Sequence, residues 1–180
     1  MPTVVIDSSA LVDFVNGSRL PFGSDAPDRR VYEYVMWRRD SQKDRVYLPT
    51  PVLAEFLCSP QASDGNGIED FVVQLAKTFP IPPFDVKAAK VLGRMFMTMG
   101  GKKEVKKQLG ELYDWQMIKV DMQIVAVAIS IGANDFISFD KRQCNLATAQ
   151  GLRVLKRTDC IAPVMKPING PDLFANHSDE

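Results

Sequence analysis

Four short strand-like runs, "TVVI", "RVYLP", "FISF" and "RVLK", alternate with stretches of helical periodicity, and this alternation constrains the 180-residue chain more than any other feature. The first and third, brief and evenly apolar, read as strands buried on both faces, because a strand with one wet face would alternate polar and apolar residues. Strands separated by helices pair in parallel, the helix carrying the chain back to the starting edge. The expected architecture is therefore α/β: a three-layer α/β/α arrangement around a short-stranded, mainly parallel sheet.

The first run, residues 3–6, ends in a carboxylate and two hydroxyls, Asp7, Ser8 and Ser9. Ser8 or Ser9 is the expected N-cap of the helix that "ALVDFV" begins. Residues 17–28, rich in Gly, Pro, Ser and Asp, read as a loop, and "RRVYEYVMWRR" reads as a helix. After "RVYLP", Thr50 is the expected N-cap and Pro51 the first residue of the helix "TPVLAEFL", which carries Glu55 in its second turn. Helices are expected over 68–77 and 85–97, with the apolar "FPIPPF" between them and a break at Gly100-Gly101. Residues 102–117 place Val105, Leu109, Leu112 and Tyr113 on one stripe, which predicts one amphipathic helix with Lys102, Lys103, Lys106 and Lys107 outward. "KVDMQIVAVAISIGAN" predicts a buried helix with Asp121 in its first turn and Gly132 as its stop. Asp140 follows the "FISF" strand, and a short helix at 143–150 leads to the last strand. One domain over 1–160 and an extended tail over 161–180 are expected.

Composition narrows the chemistry. The only histidine, His177, lies in the polar tail, so Ser-His-Asp, Cys-His and His-ligated zinc sites are excluded from the body of the chain. Cys58, Cys144 and Cys160 are odd in number and lack metal-binding spacing, which suits structural thiols in a reducing compartment. Lys+Arg and Asp+Glu are equal at 22 each, so no global field draws the protein to nucleic acid. No basic segment followed by an apolar stretch opens the sequence, and no apolar run reaches the roughly 18 residues a spanning helix needs. A cytoplasmic protein away from membranes is the expectation.

What remains is carboxylates. Sites in open parallel sheets form beyond the carboxyl ends of the strands, and that rule gathers Asp7, Glu55, Asp121 and Asp140. Clustered carboxylates repel one another unless a divalent cation screens them, and ligation by oxygen alone suits Mg²⁺ or Mn²⁺. The ordered set of strand-"DSSAL", "LPTPVLAEF", "VDMQIVAVAISIGA" and strand-"FISFD" resembles the PIN domain, a family of metal-dependent nucleases. The likeness runs from about Thr3 to Leu155. It implies catalytic acids at Asp7, Glu55, Asp121 and Asp140, metal ligation by Asp7, Asp121 and Asp140, and supporting hydroxyls at Ser8 and Ser138. It also implies a metal-dependent endoribonuclease hydrolysing RNA phosphodiesters. Toxin nucleases of toxin-antitoxin modules form a large branch of that family, and this implies a protein antitoxin as a partner.

Each residue has a plainer alternative. Asp121 alone is a helix cap, Asp140 a turn former, Glu55 a solvated helix residue and Ser138 a buried strand hydroxyl. Lys106 and Lys107 either track RNA or form a solvated face; Lys141 and Arg142 adjoin the site and are candidates for phosphate contact. "VYEYVMW" is either core or part of a groove for a homodimer. Asp13, Asp114, Asp135 and Asp159 are taken as surface, pairing or turn residues. A haloacid-dehalogenase-like phosphatase would need an acid where Ser9 stands, and a receiver module would need a paired acid and late lysine that are absent. A PIN-like scaffold that binds RNA without cutting it stays open.

Overall fold

The strand "TVVI" has no exposed surface at Val4, Val5 or Ile6, and the sheet topology gives the reason. A computed structural model, which describes residues 1–59, 68–110 and 113–163, pairs β1 (Thr3–Ile6), β2 (Arg45–Tyr47), β3 (Asp135–Ile137) and β4 (Arg153–Leu155) in the order β2-β1-β3-β4. Every pairing is parallel, with Val5 opposite Tyr47 on one side and Phe136 on the other. Strand β1 is central, so both its faces and both its edges are covered. The chain moves outward from β1 to β2, then crosses back to β3 and on to β4, which puts the reversal of strand order between β1 and β3.

Helices α1 (Ser8–Ser18) and α2 (Pro27–Asp40) connect β1 to β2; α3 (Thr50–Leu57), α4 (Ile68–Thr78), α5 (Val86–Thr98), α6 (Gly101–Leu109) and α7 (Trp115–Ser130) lie between β2 and β3; α8 (Lys141–Ala149) joins β3 to β4. Right-handed crossovers that run in opposite directions along a sheet place their helices on opposite faces, giving the expected three layers. The core gathers side chains from both layers, among them Phe14, Phe56, Phe79, Phe136 and Met122. None of the described helices is long and apolar enough to cross a membrane.

Local details depart from the sequence expectations. Asp7, not Ser8 or Ser9, caps α1, accepting the Ala10 N–H at 2.9 Å. Helix α3 starts at Thr50 with Pro49 as its cap, while the Thr50 hydroxyl accepts the Phe84 N–H at 3.1 Å. The expected loop at 17–28 is shorter, since α1 runs to Ser18 and α2 begins at Pro27. The single helix expected over 102–117 is two: α6 stops at Leu109 because Gly110 adopts φ +124°, and α7 starts anew at Trp115 with Asp114 as cap. Leu112 lies outside the described residues, as does 164–180 of the expected tail; 161–163 has no regular structure. In "VYEYVMW", Val31, Tyr34, Val35 and Met36 are buried, so this face is core and not a groove. Cys144 and Cys160 are buried and Cys58 is exposed, all three as free thiols.

Candidate active site

Asp7 stands at the C-terminal end of β1, where strand order reverses. Its backbone N–H continues the β1–β3 ladder by donating to the Ile137 carbonyl at 3.1 Å, so the carboxylate is aimed by the sheet itself. Both of its oxygens are engaged. Oδ1 accepts from Ser9 Oγ at 2.8 Å and from the Ala10 N–H, and Oδ2 accepts from Ser138 Oγ at 2.5 Å. Ser9 Oγ in turn accepts the Phe139 N–H at 2.9 Å, tying the first turn of α1 to the segment after β3.

Around Asp7 a cleft of about 280 Å³ is lined by Ser8, Ser9, Glu55, Asp121, Asp140 and Arg142, with Val12 and Gln143 at its sides. Glu55 faces the cleft from the second turn of α3 and accepts from Ser8 Oγ at 2.8 Å. Asp140 is exposed and caps α8, accepting the Gln143 N–H at 2.9 Å. Asp121 sits in the second turn of α7 rather than the first, because the helix begins at Trp115; its cap is Asp114, so Asp121 is no helix cap. It is buried. Arg142 forms an ion pair with it while its guanidinium lies 4.4 Å from the centre of the Tyr113 ring.

The cleft is costly for negative charge. Burial pushes Asp7 up to about 6 against the hydrogen bonds from Ser138, Ala10 and Ser9, and the charge of Asp140 adds to the rise. Asp121 is pushed up to about 7 by burial, with Arg142 opposing and Glu55 and Asp140 adding. Glu55 is raised for the same reason, opposed by Ser8 and Arg142. Groups that favour the neutral form this strongly invite a cation. Among the described residues, no three acids lie close enough together to grip an ion. The side-chain chemistry nonetheless fits a hard divalent cation, since the donors are all oxygens, with the Arg142 guanidinium resting against Asp121.

The four acids expected from the sequence thus line one cleft, with Ser8 on its wall and Ser138 bonded beneath Asp7. Arg142 lines the cleft as well, while Lys141 opens onto a neighbouring pocket. Lys106 and Lys107 lie on α6 and are not part of the cleft's lining; Lys107 is 3.8 Å from Glu104. The role of Ser9 in orienting Asp7 is not among the sequence expectations, although an acid followed two residues later by a hydroxyl at a helix start is a local signal for it. Gln143, buried beside Asp121, has no such signal.

The fold is that of a PIN-like three-layer α/β/α domain, and the carboxylate cleft lies at its switch point. No protein-family model and no curated protein matches the sequence. Among solved structures the chain is similar to one in the crystal structure of VapBC2 from Rickettsia felis bound to a DNA fragment from their promoter. The TM-score is 0.55 and the identity 15%, with 86% of this chain and 98% of that chain covered. At that identity the likeness speaks for the fold.

Proposed function

We propose that this chain is a metal-dependent endoribonuclease that hydrolyses RNA phosphodiesters in the Asp7 cleft, and that it acts as the toxin of a toxin-antitoxin pair. The observation that carries this reading is that four acids from four separate segments of the chain line one cleft at the sheet's switch point. Asp7, Asp121 and Asp140 would hold Mg²⁺ or Mn²⁺, with Glu55 as the fourth acid. Bound there, the ion would polarise a phosphate oxygen and provide hydroxide from its own water. Ser9 and Ser138 fix both oxygens of Asp7, and Ser8 fixes Glu55. Arg142, lining the cleft, would supply positive charge to the scissile phosphate, and Lys141 stands at its border. The similar structure is VapBC2 bound to promoter DNA, which supports a protein antitoxin and a second copy of the chain as partners; RNA is the substrate we propose on the chemistry of the cleft.

A second reading, an RNA-binding scaffold that does not cut, draws on one observation: a guanidinium already rests against Asp121. One experiment separates the two. Asp7→Asn keeps the shape of the side chain and removes its charge, so the metal-free protein is expected to fold as well as the parent while single-turnover cleavage of a labelled RNA in Mn²⁺ is lost. Each tenfold loss in rate corresponds to about 1.4 kcal/mol of barrier. A variant that cuts as fast as the parent, or a parent that binds RNA and never cuts it, would defeat the nuclease reading.

A further inference from the structure

A second pocket, larger than the acid cleft, opens between α8 and β4. Its volume is about 590 Å³, within the range that encloses a nucleotide-sized ligand. The wall between the two concavities is one turn of chain: Asp140 lines the acid cleft, while Phe139 and Lys141 on either side of it line the pocket. A strand crossing Asp140 enters both.

The pocket's charge is one-sided in a chain whose net charge is zero. Three cations, Lys141, Lys156 and Arg157, line it, and no acid does. Arg157 is partly neutralised, its Nη2 lying 2.6 Å from Asp13. Lys141 and Lys156 are exposed and make no ion pair among the described residues. Asn145, Thr148 and Thr158 add neutral hydrogen-bonding groups, and Val154 and Phe139 add apolar surface. Cations, polar groups and an apolar face together match phosphate, ribose and base.

We propose that this pocket is a subsite for a nucleotide of the RNA strand that flanks the cut, its phosphate held by Lys141 and Lys156. The proposal rests on the nuclease reading of the neighbouring cleft and deepens it: the substrate runs from Asp7 across the Phe139–Lys141 turn to α8 and β4. Arg157 belongs to the wall. Its guanidinium lies 5.1 Å from the centre of the Phe139 ring and is anchored by Asp13.

The test measures binding apart from cutting. Fluorescence anisotropy of a labelled six-nucleotide single-stranded RNA, in EDTA and across a KCl series, compares the parent with Lys156→Gln, Thr148→Trp and, as a control on α5, Lys90→Gln. Removing one phosphate contact on a single strand flattens the plot of log affinity against log salt by about 0.7, the result expected for Lys156→Gln. Thr148→Trp fills the pocket and is expected to weaken binding about tenfold, within the range for one lost base contact. Lys90→Gln is expected to bind as the parent does. Parental slope in Lys156→Gln, with thermal unfolding showing a folded protein, overturns the proposal; if Thr148→Trp does not fold, Lys156→Gln decides alone. Cleavage by the parent in Mn²⁺ is read separately, so a parent that binds through this pocket without cutting fails the nuclease reading and leaves the subsite standing.

Discussion

Asp7 serves two demands that pull against each other. As the cap of α1 it must accept hydrogen bonds, and as a charge in a buried cleft it is poorly solvated; the balance leaves it at about 6. Asp121 sits at about 7, and an unfolded Asp ionises near 3.9. Below about pH 4 both states are protonated and nothing is lost. As pH rises from about 4 to 7 the unfolded chain ionises first, so stability falls across that window. In EDTA the melting temperature is therefore expected to be higher at pH 5 than at pH 7.5, and Asp7→Asn is expected to flatten the difference. Calorimetry at the two pH values checks this; a parent with no difference would mean that water solvates these carboxylates. Asp135 has the opposite sign. Burial pushes it up, but hydrogen bonds from Arg153 and Arg38 prevail and hold it below the usual carboxylate range, so its contribution is present above about pH 4 and is lost in stronger acid.

The packing of α1 on α2 depends on one missing side chain. A Cβ on Gly17 would lie 2.1 Å from the Asp28 carbonyl oxygen and 2.5 Å from its carbon, which no rotamer change relieves. The closeness is used: Arg29 of α2 reaches over the end of α1 and donates to the carbonyls of Gly17 and Leu20 at 3.2 and 2.8 Å. Gly17→Ala is expected to cost about 1–3 kcal/mol through the forced separation of the two helices. Gly93, on the exposed side of α5, has nothing within 4 Å of the same atom, and Gly93→Ala is expected to stabilise by about 0.5–1 kcal/mol. Urea denaturation of both variants checks the pair, and equal effects would show that the two helices part freely. The proline-rich segment at 79–84 runs beside the chain that leaves β2, with the carbonyls of Pro80 and Pro82 accepting from Leu48 and Thr50. Prolines suit that position because they accept there without exposing donors of their own.

The end of the sheet opposite the cleft is locked by charge. Asp135, fully buried, accepts from Arg38 of α2 at 2.6 Å and from Arg153 of β4 at 2.5 and 2.7 Å, while Arg38 also binds Asp44 and the Tyr34 hydroxyl. One carboxylate thereby joins a helix to two neighbouring strands. Asp135→Ala would leave the buried Arg38 with two of its three partners, at an expected cost of about 3–5 kcal/mol. Arg153 is largely exposed, so Arg153→Ala is expected to cost at most about 1 kcal/mol by the standard of surface pairs. Chemical denaturation of the two variants distinguishes them, and similar losses would place the strength of the network at its wet end. A locked base also keeps the strands' other ends, where the acids stand, in fixed register.

The sheet's strands, its parallel pairing and the gathering of the four acids in one cleft were legible in the chain because they depend on local pattern: an apolar run of the right length, a carboxylate directly after it, an acid at a fixed point in a helical repeat. The break at Gly110 was half legible. The glycine was visible, but only its φ of +124° ends α6, and the start of α7 at Trp115, which puts Asp121 in a second turn, is set by the Asp114 cap. The pairings were not legible. Asp135 and Asp13 read as surface, pairing or turn residues, yet both are buried, bound to arginines 97 and 144 positions away. Nothing local marks Arg142 as the partner of Asp121 either. Periodicity is written along the chain, whereas the partner of a buried charge is chosen by whichever distant segment the fold brings within reach, and desolvation makes that choice obligatory.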